Sequence, residues 1–375
     1  MTPRAPTASG LDDVVAAETE LSHVDGTAGE LVIRGHRVED LVRNATFEDV
    51  CGLMWSGTLP EPREREALRV PLARARQKAF ELLPGLARAL DASDPMESLR
   101  AAVGQIWTSG DPGEDRLLLT GAIPVFAAAW HRATIGLPAV APDPSLNHAA
   151  DYLRMLSGTP PGRERVAGLD AYLCCVVDHG MNASTFVARV VTSTGSDTVS
   201  AIVAAIGALK GPLHGGAPGP VLDMLDAIGE PGAARKWLEA ELDAGRRIMG
   251  LGHRIYRVRD PRAAALERAA SSLEEGGAAT PRLLMAREVE RQAEALLAER
   301  HPERNLRANV EFYTAVLLEA VGMPRPLFTP TFAASRVAGW CAHVEEQRRV
   351  GRLVRPASRY IGPMPTSAPV GRRTE

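Results

Sequence analysis

The sequence predicts an all-α protein of two helical domains with one small β-hairpin near its start. Three observations carry this. The 375 residues exceed the roughly 150 expected of one domain. Ala/Leu-rich runs separated by Gly and Pro recur along the chain. No strand-helix-strand alternation of the kind a parallel nucleotide-binding sheet needs is visible.

In order, Leu31-Val32-Ile33-Arg34-Gly35 follows the turn-like Asp25-Gly26-Thr27 and reads as a hairpin strand. Helical runs follow at Leu72–Leu83, from Leu117 onward (interrupted by Thr120 and Pro124), Asp151–Leu156, Ala171–Val177 and Val199–Leu209. Further runs are Pro220–Ile228, Ala233–Met249, Arg282–Arg300, Val310–Val321 and Ala333–Val350. Two Gly/Pro clusters, Lys210–Pro220 and Val321–Pro326, look like hinges around a domain of ordinary size. The expected division is 1–212 and 318–375 for a large domain and 213–317 for a small one. The tail after Ile361 is Pro/Gly/Ser/Arg-rich and reads as disordered.

Composition narrows the function. Hydrophobic residues make up 45% and charged residues 24%, as in ordinary globular proteins. A net charge of −3, from 43 basic and 46 acidic residues, argues against a nucleic-acid partner. Met1–Gly10 has no apolar core, and no apolar stretch reaches the ~18 residues of a spanning helix, so neither export nor a membrane is expected. Cys51, Cys174, Cys175 and Cys341 show neither CxxC nor Cys/His ligand spacing. No metal site or disulfide framework is therefore expected, and a cytoplasmic location is.

Chemistry concentrates beside glycines. His214, in Leu213-His214-Gly215-Gly216, precedes a predicted helix whose N-terminal dipole favours neutral imidazole. Such a group can donate to a carbonyl oxygen, or simply cap a turn. His253 lies in Gly250-Leu251-Gly252-His253-Arg254-Ile255-Tyr256-Arg257, followed by Arg259 and Arg262. Glycines let backbone amides approach a ligand, and arginines suit carboxylate or phosphate, although they also suit a solvated face. In Asp178-His179-Gly180-Met181-Asn182, His179 and Asn182 share a face if the segment is helical; otherwise they are polar helix-end groups. Asn309 is a candidate N-cap that puts Glu311 in a first turn, as a dipole partner or as a general base. Arg336 sits in an apolar run, where it either finds an anion or snorkels out. Arg355, before Pro356, reads as exposed.

Taken together, these segments resemble the citrate synthase family. The likeness runs from Leu11–Thr19, Ser22–Gly26 and Leu31–Gly35 through Asp178–Phe186, Leu213–Gly216, Gly250–Arg262 and Asn309–Tyr313 to Arg355-Pro356. The resemblance implies a homodimer of two-domain helical subunits that close around condensation of acetyl-CoA, or propionyl-CoA, with oxaloacetate. No permanently bound cofactor or metal is implied, and the acyl-CoA is a co-substrate. It implies that His214 donates to the thioester oxygen, His253 protonates the oxaloacetate carbonyl, and Glu311 is the base. His179, Arg262 and Arg336 would bind the diacid with Arg355 of a second subunit, and Gly250, Leu251, Gly252 and Arg257 would contact CoA. Three departures stand out. Glu311 replaces the family's usual aspartate, moving the carboxylate about 1.5 Å outward. Pro218 replaces an asparagine, and Arg307-Ala308 replaces an aromatic-proline pair. These leave open a weakly active sensor of CoA or dicarboxylate, or an enzyme acting on citryl-CoA.

Overall fold

This computed structural model describes residues 11, 14–215, 218–253, 255–273 and 281–364. The readings of Met1–Gly10, Asp12-Asp13, Gly216, Arg254 and most of the tail beyond Ile361 lie outside the described residues.

Strands β1 (Ser22–Asp25), β2 (Glu30–Ile33) and β3 (His36–Arg37) form an antiparallel sheet in the order β1-β2-β3, with Ser22 opposite Ile33. The hairpin read in the sequence thus carries a short third strand. The Asp25 carboxylate accepts the Thr27 and Ala28 N–H groups, both at 2.8 Å, which fixes the first turn. Leu31 and Ile33 face the core, alternating with the half-buried Glu30 and Val32.

Helices follow. The first group is α1 (Val38–Asn44), α2 (Phe47–Ser56), α3 (Pro62–Glu81), α4 (Ala87–Leu90), α5 (Pro95–Val103) and α6 (Pro112–Thr134). Next come α7 (His148–Ser157), α8 (Arg163–Val176), α9 (Ala183–Ser193) and α10 (Thr198–Leu209). The last are α11 (Pro218–Ile228), α12 (Ala234–Asp243), α13 (Pro261–Leu273), α14 (Pro281–Arg300), α15 (Val310–Ala320) and α16 (Phe328–Val350). The all-α architecture expected of the sequence is therefore the one observed.

Several helices start earlier than the sequence expectation, α3 at Pro62 rather than Leu72, α8 at Arg163 rather than Ala171 and α16 at Phe328 rather than Ala333. Two further differences have a clear physical cause. Helix α6 begins at Pro112, where Asp111 caps the Gly113 and Glu114 N–H groups, and runs unbroken through Pro124. It packs against α3, α5 and α16, so burial outweighs the one backbone bond that proline removes. Gly121 lets α3 approach closely, since a Cβ there would meet the Ala75 backbone at 2.8 Å. Conversely, the run Ala233–Met249 is helical only to Asp243, because Gly245 turns the chain with φ +72°. Even with α6 continuous, no helix among the described residues is long and apolar enough to cross a membrane.

Helix α16 runs through the core against α6, α8, α9 and α10. Gly339 allows it to lie on the α8–α9 connection, because any Cβ there would overlap the Val177 carbonyl. Helices α13 and α15 pack on each other and both rest on α8, while α12 packs on α14. The connection after α8, the turn before α11, the loop before α13, the first turns of α13 and α15 and the middle of α16 supply the polar residues considered next.

Candidate active site

The connection between α8 and α9 carries His179. The segment is not helical, so His179 and Asn182 do not share a helix face. Instead Gly180 turns the chain with φ +56°, and Asn182 caps α9 by accepting the Thr185 N–H at 3.1 Å. Asp178 is held from behind by the Ser22 hydroxyl at 2.5 Å and by His343 Nε2 at 3.2 Å. His179 is buried, and its Nε2 lies 3.1 Å from the Tyr256 hydroxyl. Burial first, then the positive charge of Arg262, holds its imidazole well below the ordinary range and therefore neutral.

His253 is wired into its own loop. Its Nδ1 accepts the backbone N–H of Ile255 at 3.0 Å and of Tyr256 at 3.1 Å. An accepting Nδ1 leaves the proton of neutral imidazole on Nε2. Burial and Arg262 lower the pKa of His253 to about 4. The loop leans on the hairpin: Gly26 accepts the Arg257 N–H at 2.7 Å, and a Cβ on Gly26 would overlap the Ile255 carbonyl. Its other edge is zipped to the approach to α15. Gly252 N–H donates to the Arg307 carbonyl at 2.7 Å, Asn309 N–H to Gly250 at 2.9 Å, and Asn309 Nδ2 to the Gly252 carbonyl at 2.8 Å. The Gly252 amide is thus committed to the chain itself rather than presented to a ligand. Leu251 is half-buried, and Arg257 is exposed.

Asn309 caps α15 as expected, accepting the Glu311 N–H at 3.0 Å. Glu311 lies in the first turn, and burial raises its carboxyl to about 7, with Arg262 opposing and Asp260 reinforcing the rise. Arg262, in the first turn of α13, is buried against Asp260, with Nε–Oδ1 at 3.0 Å and Nη2–Oδ2 at 2.8 Å. Asp260 also accepts the Val310 N–H at 3.2 Å, tying together the starts of α13 and α15.

His214 occupies the turn before α11. It does not merely cap that turn, because its Nε2 lies 2.8 Å from Ser184 Oγ of α9. Ser184 also receives the Trp340 indole N–H at 3.1 Å and lies 2.8 Å from Asn182 Oδ1. Burial, followed by Arg336, lowers the pKa of His214 to about 4. Arg336 does not snorkel: it is 1% exposed on α16. Its Nε donates to the Val176 carbonyl at 2.7 Å, and its Cζ stands 4.6 Å from the centre of the Phe332 ring. The other side of that cluster is His214, whose ring meets Phe332 edge-on at 6.2 Å. Arg336 Nη2 is buried with no hydrogen-bond partner among the described residues. Desolvation brings its guanidinium down to about 10.

The structure therefore links six of the expected residues. His179 and His253 are 5.7 Å apart ring to ring; Arg262 acts on both and on Glu311; Arg336 acts on His179 and His214. Arg355 is exposed and stands apart. Its neighbour Val354 is tied to Ser193 at the far end of α9, about 14 Å along that helix from Ser184. Sequence reading missed Tyr256, Ser184, Asp260 and Phe332. Of these only Asp260 and Tyr256 had a local signal, lying within the glycine- and arginine-rich loop. Among the described residues no group of three or more His, Cys, Asp or Glu could hold a metal ion.

The profile of a family described as "Citrate synthase, C-terminal domain" matches residues 10–357. A citrate synthase of Haloferax volcanii is 39% identical over 368 residues, covering 94% of this chain and 95% of that protein. A 2-methylcitrate synthase of Mycobacterium tuberculosis is 36% identical, covering 94% and 90%. The crystal structure of citrate synthase from Thermotoga maritima superposes with a TM-score of 0.86 at 34% identity, over 99% of this chain and all of that one.

Proposed function

The chain belongs to the citrate synthase family, and from that premise we propose how its own residues divide the family's reaction. The protein is an enzyme that condenses an acyl-CoA with oxaloacetate. The acyl group becomes an alkyl group on transfer. Glu311 takes a proton from the carbon next to the thioester, and the C–H electron pair moves onto the thioester oxygen. His214 steadies that oxygen with an N–H. When Ser184 turns its one hydroxyl proton from Asn182 Oδ1 to His214 Nε2, the available proton of the neutral imidazole is on Nδ1. The nucleophilic carbon then attacks the keto carbon of oxaloacetate, and the keto oxygen takes the proton from His253 Nε2. Water finally cleaves the C–S bond, releasing CoA and citrate, or 2-methylcitrate from propionyl-CoA.

His179, Arg262 and Arg336 hold the diacid. The observation that carries this reading is the buried Arg336 with its unpartnered Nη2, beside the His214–Phe332 cluster. A buried guanidinium with an idle nitrogen is costly unless an anion completes it, and a carboxylate matches its planar fork. Gly250, Leu251, Gly252 and Arg257 contact CoA in this scheme. Arg355 joins the site of a second subunit, which fits its exposure and its distance from its own chain's cluster. The 213–317 stretch is the smaller domain, which closes over bound substrates. A cytoplasmic location accords with four buried, unpaired cysteines.

The test is release of free thiol from acetyl-CoA and propionyl-CoA with and without oxaloacetate. Oxaloacetate-dependent release is expected; its absence with both thioesters contradicts the proposal. The ratio of kcat/KM values for the two thioesters assigns the acyl preference.

A further inference from the structure

Tyr256 is a residue that the scheme above does not use, yet it touches three groups that the scheme does use. Its hydroxyl lies 3.1 Å from His179 Nε2, and its backbone N–H donates to His253 Nδ1 at 3.1 Å. Its ring stands 4.8 Å from that of His253, and Arg262 Cζ lies 5.9 Å from its centre. The side chain is 2% exposed. The next residue is pinned to the hairpin through the Arg257 N–H and the Gly26 carbonyl.

We propose that Tyr256 is a positioning residue that sets both imidazoles facing the diacid, His179 through its hydroxyl and His253 through its backbone. This rests on the functional reading above and deepens it. The physical argument is one of hydrogen-bond satisfaction. Among the described residues, the hydroxyl is the partner of His179 Nε2, and a buried ring nitrogen that loses its partner is both destabilised and free to reorient. A phenol suits the place because it donates or accepts, so it holds His179 in either neutral tautomer. Burial pushes the Tyr256 phenol upward, so it keeps its proton at any ordinary pH. The backbone contact to His253 does not depend on the side chain, so the two histidines can be separated experimentally.

Tyr256→Phe removes one oxygen and leaves the ring and the backbone donor. The expected result is a rise of about tenfold in KM for oxaloacetate, as for loss of one hydrogen bond of ordinary strength. A kcat within about twofold and an unchanged KM for the acyl-CoA are expected with it, because the diacid contact is made alike in ground and transition states. Calorimetric binding of oxaloacetate, which needs no turnover, should weaken by the same factor. In a His179→Ala background the Tyr256→Phe change should add nothing further. A purely structural role would instead lower the melting temperature and leave the oxaloacetate KM in place, or move both KM values together; either result overturns the proposal. So does an unreduced effect in the His179→Ala background. If the unaltered protein binds oxaloacetate and condenses it while Tyr256→Phe matches it throughout, only this inference falls. If the unaltered protein neither binds nor condenses oxaloacetate, the functional reading fails and the positioning role falls with it.

Discussion

The two imidazoles at the heart of the site are held in contrasting ways. His253 is fixed by its own loop, through the N–H groups of Ile255 and Tyr256, two and three residues further on. His214 is fixed by Ser184, thirty residues earlier on a different helix, and Ser184 is in turn held by Trp340 of α16. Both end neutral, with pKa values near 4, and burial is the larger cause each time. Their second causes differ: Arg262 for His253, Arg336 for His214. The arginines repeat the contrast, since Arg262 is matched by Asp260 two residues away, whereas Arg336 keeps a buried nitrogen idle. On the proposed reading, one half of the site is complete before substrate arrives and the other is completed by it.

The largest effect should come from the proposed base. Glu311→Gln removes the base and is expected to lower kcat by about a thousandfold, within the range of general-base catalysis, with little change in oxaloacetate binding. Steady-state kinetics beside calorimetric oxaloacetate titration check this.

Next, Arg336→Lys keeps the charge but loses the fork that the unfinished half offers. KM for oxaloacetate should rise about a hundredfold, in line with disturbing a buried charge-assisted pair. A rise below about threefold would mean that Arg336 does not meet the diacid, and the contrast with Arg262 would lose its meaning.

A smaller change separates the imidazoles themselves. Ser184→Ala frees His214 and leaves His253 untouched. We expect kcat to fall about tenfold, the cost of one hydrogen bond, while the oxaloacetate KM stays put. Trp340 Nε1 also loses a partner, so the melting temperature should fall as well. If the oxaloacetate KM moved too, the halves would not be independent.

This contrast also explains what the sequence made legible. The hairpin turn, the Asn309 cap and the His253 loop are local, built from residues within a few positions of one another, and pattern reading finds such features. The partners of His214 and His179 come from helices brought together only by folding. Ser184 lies in an ordinary apolar-polar helix pattern, and nothing beside Tyr256 pairs it with His179, 77 positions away. The continuity of α6 through Pro124 was hidden for the same reason, because the helices packed around it decide it. The family resemblance supplied a role for Arg355 that its neighbours do not suggest, whereas the apolar run around Arg336 already offered an anion partner as one of two local readings.

The most direct test of the account is the pH dependence of kcat/KM for the acyl-CoA. Burial raises the Glu311 carboxyl from its ordinary 4.5 to about 7, whereas His214 and His253 fall from 6.5 to about 4. The working base is the ionised carboxylate, so activity should rise with pH through about 7, and neither histidine should titrate between pH 5 and 8. Stability should carry opposite signs. Between pH 4.5 and 7 the folded Glu311 binds its proton more tightly than the unfolded chain does, so this group's contribution weakens as pH rises. The histidines bind theirs less tightly when folded, so their contribution is lost as pH falls from about 6.5 to 4. An acid limb near 7 that disappears along with most of the activity in Glu311→Gln is the predicted result. A limb near 4.5, or one near 7 that survives the substitution, would contradict the assignment of Glu311 as the base.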